Sequence, residues 1–171
     1  MQGSVASILS ILNELPLGHW RVKAGLRLRE ALLINRIFFH SEAWQGIMDE
    51  YIENLEKVDQ ALLRGILGTH AKIPIEALFL ETGTVQLRFM IKSRRLNYLK
   101  TILNRESDEL IREVYNAQKA NPSPGDFSEL IERDARELDI NIQDEQMKAE
   151  NYKAKIKTKI CEAGFNHLKE I

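Results

Sequence analysis

The sequence predicts an all-α fold, a bundle of about seven to eight helices, on three observations. Apolar residues recur at helical spacing along most of the chain. No segment of strand length alternates apolar with polar residues, and stretches rich in Pro or Gly separate the periodic segments. Hydrophobic residues make up 44% of the 171 residues, which is enough for a core. The single cysteine excludes an internal disulfide and favours an intracellular location.

Four helices are expected in the first half of the chain. Pro16 and Gly18 end the first one, and Asp49 is a plausible N-cap of the third. The fourth helix is expected to begin at Pro74, because the first turn of a helix tolerates proline. It is expected to end at Gly83. The expected segments are Ser4–Leu15, His19–Phe39, Asp49–Gly68 and Pro74–Gly83.

Four further helices are expected after Gly83, with a boundary at the sequence NPSPGD, residues 121–126. Ser107 is predicted to cap the second of them, and Asp126 with Glu129 gives the last-but-one a capping-box-like start. The boundary divides the chain into a predicted helical domain, 1–120, and a C-terminal helical extension, 121–171. The expected segments are Val85–Asn104, 108–120, 127–140 and Glu145–Lys169.

Motifs for an independent enzyme are missing from the sequence. His40, Ser41 and Glu42 have the H-x-E form of a zinc deaminase, but that site needs two further cysteines and the chain has only Cys161. No glycine-rich phosphate loop is present, and no apolar run is long enough to span a membrane. The prediction is therefore no catalytic residue, no metal site and no membrane partner.

Charge is distributed in blocks, although the net charge is only -1. Residues 21–36 hold five cations and one acid, and residues 42–59 hold six acids and one lysine. Residues 83–105 hold six cations and no acid. On a helix, three of these cations lie on one line between two apolar flanks, at positions i, i+4 and i+7: Arg88, Lys92 and Arg95.

Two interpretations of this basic segment stay open from the residues alone. The acids of 42–59 neutralise it within the fold, or it contacts the phosphates of a nucleic acid, with an affinity that falls as salt rises. Changing Arg88, Lys92 and Arg95 together to Ala is expected to flatten that salt dependence if the second interpretation is right.

Four co-linear stretches resemble the C-terminal part of reverse transcriptases from non-LTR (LINE-type) retrotransposons. They include "LREALLINRIFFHSEAW", "LEKVDQALLRGILG" and "IPIEALFLETGTVQLRFMIKSRRLNYL". Within the third, Phe79 and Gln86 depart from the Tyr and Pro that the family tends to have. The matched stretches are Leu28–Trp44, Leu55–Gly68, Ile73–Leu99 and Gln118–Phe127.

The resemblance implies a helical thumb-like domain with a downstream extension, which lies along the RNA template–DNA primer duplex. It assigns nucleic-acid binding to cations of the family's basic helix, four of them inside the matched stretch and Lys100 directly after it: Arg88, Lys92, Arg94, Arg95 and Lys100. The "YADD"-type palm motif is not in the chain. The resemblance thus implies a fragment of an RNA-directed DNA polymerase that is inactive alone. It implies that this chain holds no cofactor, whereas the parent polymerase uses Mg²⁺. It also implies a nuclear location if the chain acts as in the parent element.

The alternative function is a helical protein-interaction module with no role in nucleic-acid binding. In that interpretation residues 42–59 and 145–169 present faces to partner helices. Two properties stay open from the sequence, the oligomeric state and nucleic-acid contact by the lysines of the last helix: Lys153, Lys155, Lys157 and Lys159.

Overall fold

A computed structural model describes residues 2–39, 41, 49–69, 73–142 and 151–169 of the chain. These residues form α-helices and one π-helical segment, with no strand among them, which confirms the all-α prediction. They group into two compact units. The first unit comprises described residues of Met1–Phe39 and Met48–Leu87, and the second those of His40–Ile47 and Arg88–Ile171.

The first unit is built from five α-helices and the π-helical segment. Helix α2, His19–Leu28, continues without a break through the π segment, Arg29–Ile34, into the short α3, Asn35–Ile37. The other helices are α1, Gln2–Asn13, α4, Asp49–Leu67, and α5, Ile75–Thr82. Their apolar stripes meet in a core that includes Ile8, Leu12, Leu33, Phe38, Leu62, Leu63, Ile66, Leu78 and Phe79.

Two glycines of this unit take positions that a side chain would disturb. A Cβ on Gly25 would lie 2.8 Å from both Cγ atoms of Ile66, so its absence lets α2 approach α4 closely. Gly83 has φ of 61° and ends α5 in the left-handed conformation, as the sequence predicted.

Two arginines of the basic stretch 21–36 point into this unit. Arg29 forms a buried two-bond ion pair with Asp59 of α4, Nε to Oδ1 at 2.5 Å and Nη2 to Oδ2 at 2.6 Å. Arg21 donates from Nη1 to the Leu12 carbonyl at 2.5 Å and from Nη2 to the Gly65 carbonyl at 3.1 Å. Its guanidinium thus satisfies carbonyls near the C-terminal ends of α1 and α4.

The second unit is built on α6, Leu87–Leu103, whose first residue belongs to the first unit. The other helices are α7, Leu110–Ala120, α8, Phe127–Glu137, and α9, Tyr152–Lys169. Both apolar flanks predicted for α6 are covered: Phe89, Leu96, Leu103, Leu87, Ile91 and Ile102 are buried, and Tyr98 is half-buried. The ring of Phe127 makes edge contacts with Tyr98 and Tyr115.

Local predictions in this unit have mixed outcomes. Asp126 caps α8 as expected, since its Oδ1 accepts the Glu129 N–H at 2.8 Å, but the Glu129 carboxylate accepts from the Gly125 N–H instead of completing the box. The prediction that Ser107 caps α7 is wrong, because residue 107 lies in a turn and α7 begins after Glu109.

The predicted domain boundary at residues 121–126 stays a prediction, although this loop lies inside the second compact unit. The predicted start of the last helix, Glu145, and three residues of the N-terminal motifs, His40, Glu42 and Trp44, lie outside the described residues.

Candidate nucleic-acid interface

Arg95 of the predicted phosphate-binding set is an internal residue. Its exposed fraction is 7%. Its guanidinium donates two hydrogen bonds to the carboxylate of Asp134 in α8, from Nε to Oδ2 at 2.6 Å and from Nη2 to Oδ1 at 2.8 Å. Asp134 is itself fully buried. Because a buried two-bond pair leaves the guanidinium no approach for a phosphate, we do not propose Arg95 as a phosphate contact.

The carboxylate of Asp134 is desolvated by the same packing. Burial raises the pKa of Asp134 above the ordinary 3.8, and the hydrogen bonds and charge of Arg95 offset part of that rise. The two charges therefore depend on each other, because either one left alone in this interior would be uncompensated.

Lys92 is also held by α8. Its ammonium pairs with the carboxylate of Glu137 and lies 5.5 Å from the centre of the Phe89 ring. The lysine side chain is 17% exposed, whereas that of Glu137 is 47% exposed, so the pair lies at the edge of the buried region. A phosphate at Lys92 would have to replace Glu137 in this pair, so the role of Lys92 in phosphate binding stays a prediction.

The remaining three cations of the predicted set, Arg88, Arg94 and Lys100, are half-buried on α6. Each of them also takes part in a further interaction within the protein. Half-burial leaves part of each side chain accessible to solvent. These three positions stay candidate phosphate contacts on α6, and each would have to combine such a contact with its interaction inside the protein.

The carboxylates that pair with Lys92 and Arg95 belong to α8 and not to residues 42–59. The expected source, residues 42–59, contributes Asp59 to Arg29, whereas Lys92 and Arg95 pair with α8. A signal for Asp134 exists in the sequence, since it falls on the apolar face of α8 at helical spacing with Leu130, Ile131 and Leu138. An acid on an apolar helix face predicts a buried cationic partner.

A cleft of about 480 Å³ lies between the N-terminal half of α6, the end of α8 and α9. Lys159 projects into it and pairs with Asp139 at 3.0 Å and Glu162 at 3.8 Å. The pairing with Asp139 raises the pKa of Lys159 and lowers that of Asp139. Three cations and three acids are among the residues that line the cleft. The lining residues are Arg88, Phe89, Lys92, Glu137, Leu138, Asp139, Lys159, Glu162, Ala163 and Asn166.

The lysines of the last helix divide in the structure. Lys159 is half-buried in the cleft, whereas Lys153, Lys155 and Lys157 are exposed on α9. Lysines two residues apart lie on different sides of a helix, so these three exposed side chains do not form a single line.

No group of three or more His, Cys, Asp or Glu side chains suited to a metal ion occurs in the part of the chain that the structure describes. None of the helices in the described ranges is long and apolar enough to cross a membrane. No protein-family model, curated protein or solved structure matches this chain.

Proposed function

We propose that this chain is a non-catalytic, thumb-type module related to the reverse transcriptases of non-LTR retrotransposons, and that it binds the backbone of a template–primer duplex. The observation that carries the proposal is the co-linear resemblance of four stretches of the sequence. The longest, Ile73–Leu99, covers α5 and most of α6. The all-α fold is of the kind that such a module requires.

In this proposal the cations of α6 have two different roles, internal ion pairing and phosphate contact. Lys92 and Arg95 attach α8 to α6 through Glu137 and Asp134. The proposed phosphate contacts are then the half-buried Arg88, Arg94 and Lys100, carried on a helix whose orientation those ion pairs help to fix. Contacts to phosphates position a duplex without reading its bases, which suits a module that follows any copied sequence.

Nucleotide addition is not part of the proposed function. The palm motif that holds the metal ions of a polymerase is not in this sequence. Incubation of the chain with Mg²⁺, nucleotides and a primed template is therefore expected to give no primer extension. Extension by the purified chain would contradict the proposal.

Binding of a fluorescently labelled RNA–DNA hybrid, followed by anisotropy from about 50 to about 200 mM salt, tests the proposal. Each phosphate contact contributes roughly 0.9 to the slope of log affinity against log salt in duplex DNA. The variant with Arg88, Arg94 and Lys100 all changed to Ala should lose up to three such contacts, with a slope lower by roughly 2 to 3.

The matched control removes three exposed lysines, Lys153, Lys155 and Lys157, and therefore changes the net charge by the same amount. It should leave the slope close to that of the unmodified chain. Equal slopes for the two triple variants would show that general charge, and not the α6 positions, determines binding, and would overturn the assignment.

The alternative, a helical protein-interaction module, is favoured by one observation on α7. Leu110 and Val114 lie one turn apart on this helix and are exposed, with Ile111 beside them. If this interpretation is right, the chain binds no hybrid at low salt and self-associates in sedimentation experiments. Changing Leu110 and Val114 to Asp should then abolish the association.

A further inference from the structure

Helix α2 has an inner and an outer face of different chemistry. The inner face is buried in the first unit through Arg21, Gly25 and, beyond the helix end, Arg29. The outer face carries Trp20, Lys23 and Arg27, all exposed and spaced at i, i+3 and i+7 on one side. This outer face plays no part in the proposed α6 interface, which lies in the other unit.

Trp20 is the central feature of the outer face. Its exposed fraction is 76%, unusual for the largest apolar side chain. The ammonium of Lys23 lies 5.6 Å from the centre of the indole ring, and the His19 ring lies at its edge, 6.0 Å away and inclined by 67°. The indole is thus oriented beside a cation while a large part of its surface stays in contact with water.

The charge of the outer face is positive throughout. Helix α2 contains no Asp or Glu. Neither Lys23 nor Arg27 forms an ion pair with another residue in the described ranges. The first acid along the chain is Glu30, in the π segment that follows. An exposed aromatic ring beside two exposed cations suits single-stranded nucleic acid, since bases stack on the ring and phosphates meet the charges.

We infer that the outer face of α2 binds single-stranded nucleic acid, with a base stacked on Trp20 and phosphates at Lys23 and Arg27. A duplex does not fit the same face, because its bases are already stacked on one another and expose no free ring surface. A membrane-surface helix carries several large apolar residues on one side, whereas Trp20 is the only exposed large apolar residue of α2, every residue of which is described.

Fluorescence of Trp20 tests the stacking directly. The chain contains two tryptophans, so the Trp44→Phe variant leaves Trp20 as the single indole. Addition of an oligothymidylate longer than roughly 16 nucleotides should quench its emission to a saturating value. In the unmodified background, Trp20→Ala should weaken oligothymidylate binding about tenfold or more while keeping the salt slope.

The double variant Lys23→Ala/Arg27→Ala tests the phosphate contacts. It should lower the salt slope for oligothymidylate by roughly 1.4, about 0.7 for each single-strand phosphate contact. A control for the loss of exposed groups in general is Tyr51→Ala/Lys57→Ala, which removes an exposed aromatic ring and an exposed cation from α4 of the same unit. Far-UV circular dichroism of each variant shows that the helices remain folded.

Three results would overturn the inference. The first is no quenching of Trp20 together with unchanged binding by Trp20→Ala. The second is equal loss of binding in the α4 control. The third is quenching or a blue shift of equal size with phosphatidylserine-rich vesicles or polyglutamate, which have no bases to stack.

The α6 proposal can fail independently of this one. The triple variant of Arg88, Arg94 and Lys100 should lose hybrid binding and retain oligothymidylate binding, whereas Trp20→Ala should show the reverse. If either variant lost binding to both the hybrid and oligothymidylate, the assignment of two separate surfaces would be contradicted.

Discussion

Helices α2 and α6 are both free of acidic residues and rich in cations, but their cations have different partners in the fold. On α6, Arg95 and Lys92 receive carboxylates from α8, which lies about 40 residues further along the chain. On α2, the inward Arg21 binds neutral carbonyls, and the outward Lys23 and Arg27 form no ion pair with another residue of the described ranges. An acid-free segment is therefore insufficient evidence for an external anion, because the counter-charge can come from a distant helix.

The comparison also separates two uses of arginine. The charge of Arg95 is balanced by the carboxylate of Asp134, whereas Arg21 donates to neutral carbonyls at helix ends. Sequence position does not distinguish the two residues, since each lies on the buried side of an acid-free helix. Only the partner that packs opposite decides which of them leaves a net charge.

Removal of Asp134 should have the largest effect on stability. Asp134→Ala leaves the Arg95 guanidinium buried without its carboxylate, and we expect a loss of about 3 to 5 kcal/mol in the free energy of unfolding. Urea denaturation followed by circular dichroism measures it. Glu132→Ala, at an exposed position on α8, is the control and should be close to neutral.

Replacement of both partners should restore most of that loss. Arg95→Met with Asp134→Leu removes the two charges together, and apolar pairs of similar volume are often as stable as a buried ion pair. If the double variant were as unstable as Asp134→Ala, the pair would not be the reason for the loss.

An intermediate effect is expected at the inner face of α2. Gly25→Ala would place a Cβ 2.8 Å from Ile66, and the displacement of α2 or Ile66 should cost about 1 to 3 kcal/mol of unfolding free energy. Gly3→Ala in α1 meets no atom within 4 Å and should stabilise slightly, because Ala favours the helix. If Gly25→Ala and Gly3→Ala changed the melting temperature in the same direction and by the same amount, the close approach of α2 and α4 would be contradicted.

The smallest effect concerns pH and the Asp126 cap of α8. Hydrogen bonds from the backbone of Ser123 and Glu129 hold the pKa of Asp126 below its ordinary 3.8. The stability that this carboxylate contributes is therefore present above pH 3.8 and is lost as the pH falls through the lowered value. Asp126→Ala should lower the melting temperature near neutral pH, and the difference from the unmodified chain should shrink in acid. A difference that grows in acid would be the contrary result.

The helices were predictable because their apolar residues repeat at helical spacing and end at Pro or Gly. For α5 and α6 the predicted limits differ from the observed ones by one or two residues. The π segment was not predicted, since no local signal separates it from α2. The pairing of Arg95 with Asp134 depends on which helix faces meet, and a single sequence does not specify this.

The candidate site was predicted only in part, for the same reason. The sequence identified the cations of α6 but gave no means of separating the buried Arg95 from the half-buried Arg94 beside it. The outer face of α2 was overlooked because its cations were counted in a block with Arg21 and Arg29, which point inward. Helical spacing from Trp20 would have separated the two groups.

Hybrid binding by two variants tests the central claim most directly: Arg95 holds the fold together, and Arg88, Arg94 and Lys100 hold the nucleic acid. The account predicts that Arg95→Met/Asp134→Leu binds the RNA–DNA hybrid with the salt slope of the unmodified chain, whereas the Arg88, Arg94, Lys100 triple Ala variant has a flattened slope. A flattened slope in the folded Arg95→Met/Asp134→Leu protein, with an unchanged slope in the triple variant, would contradict it.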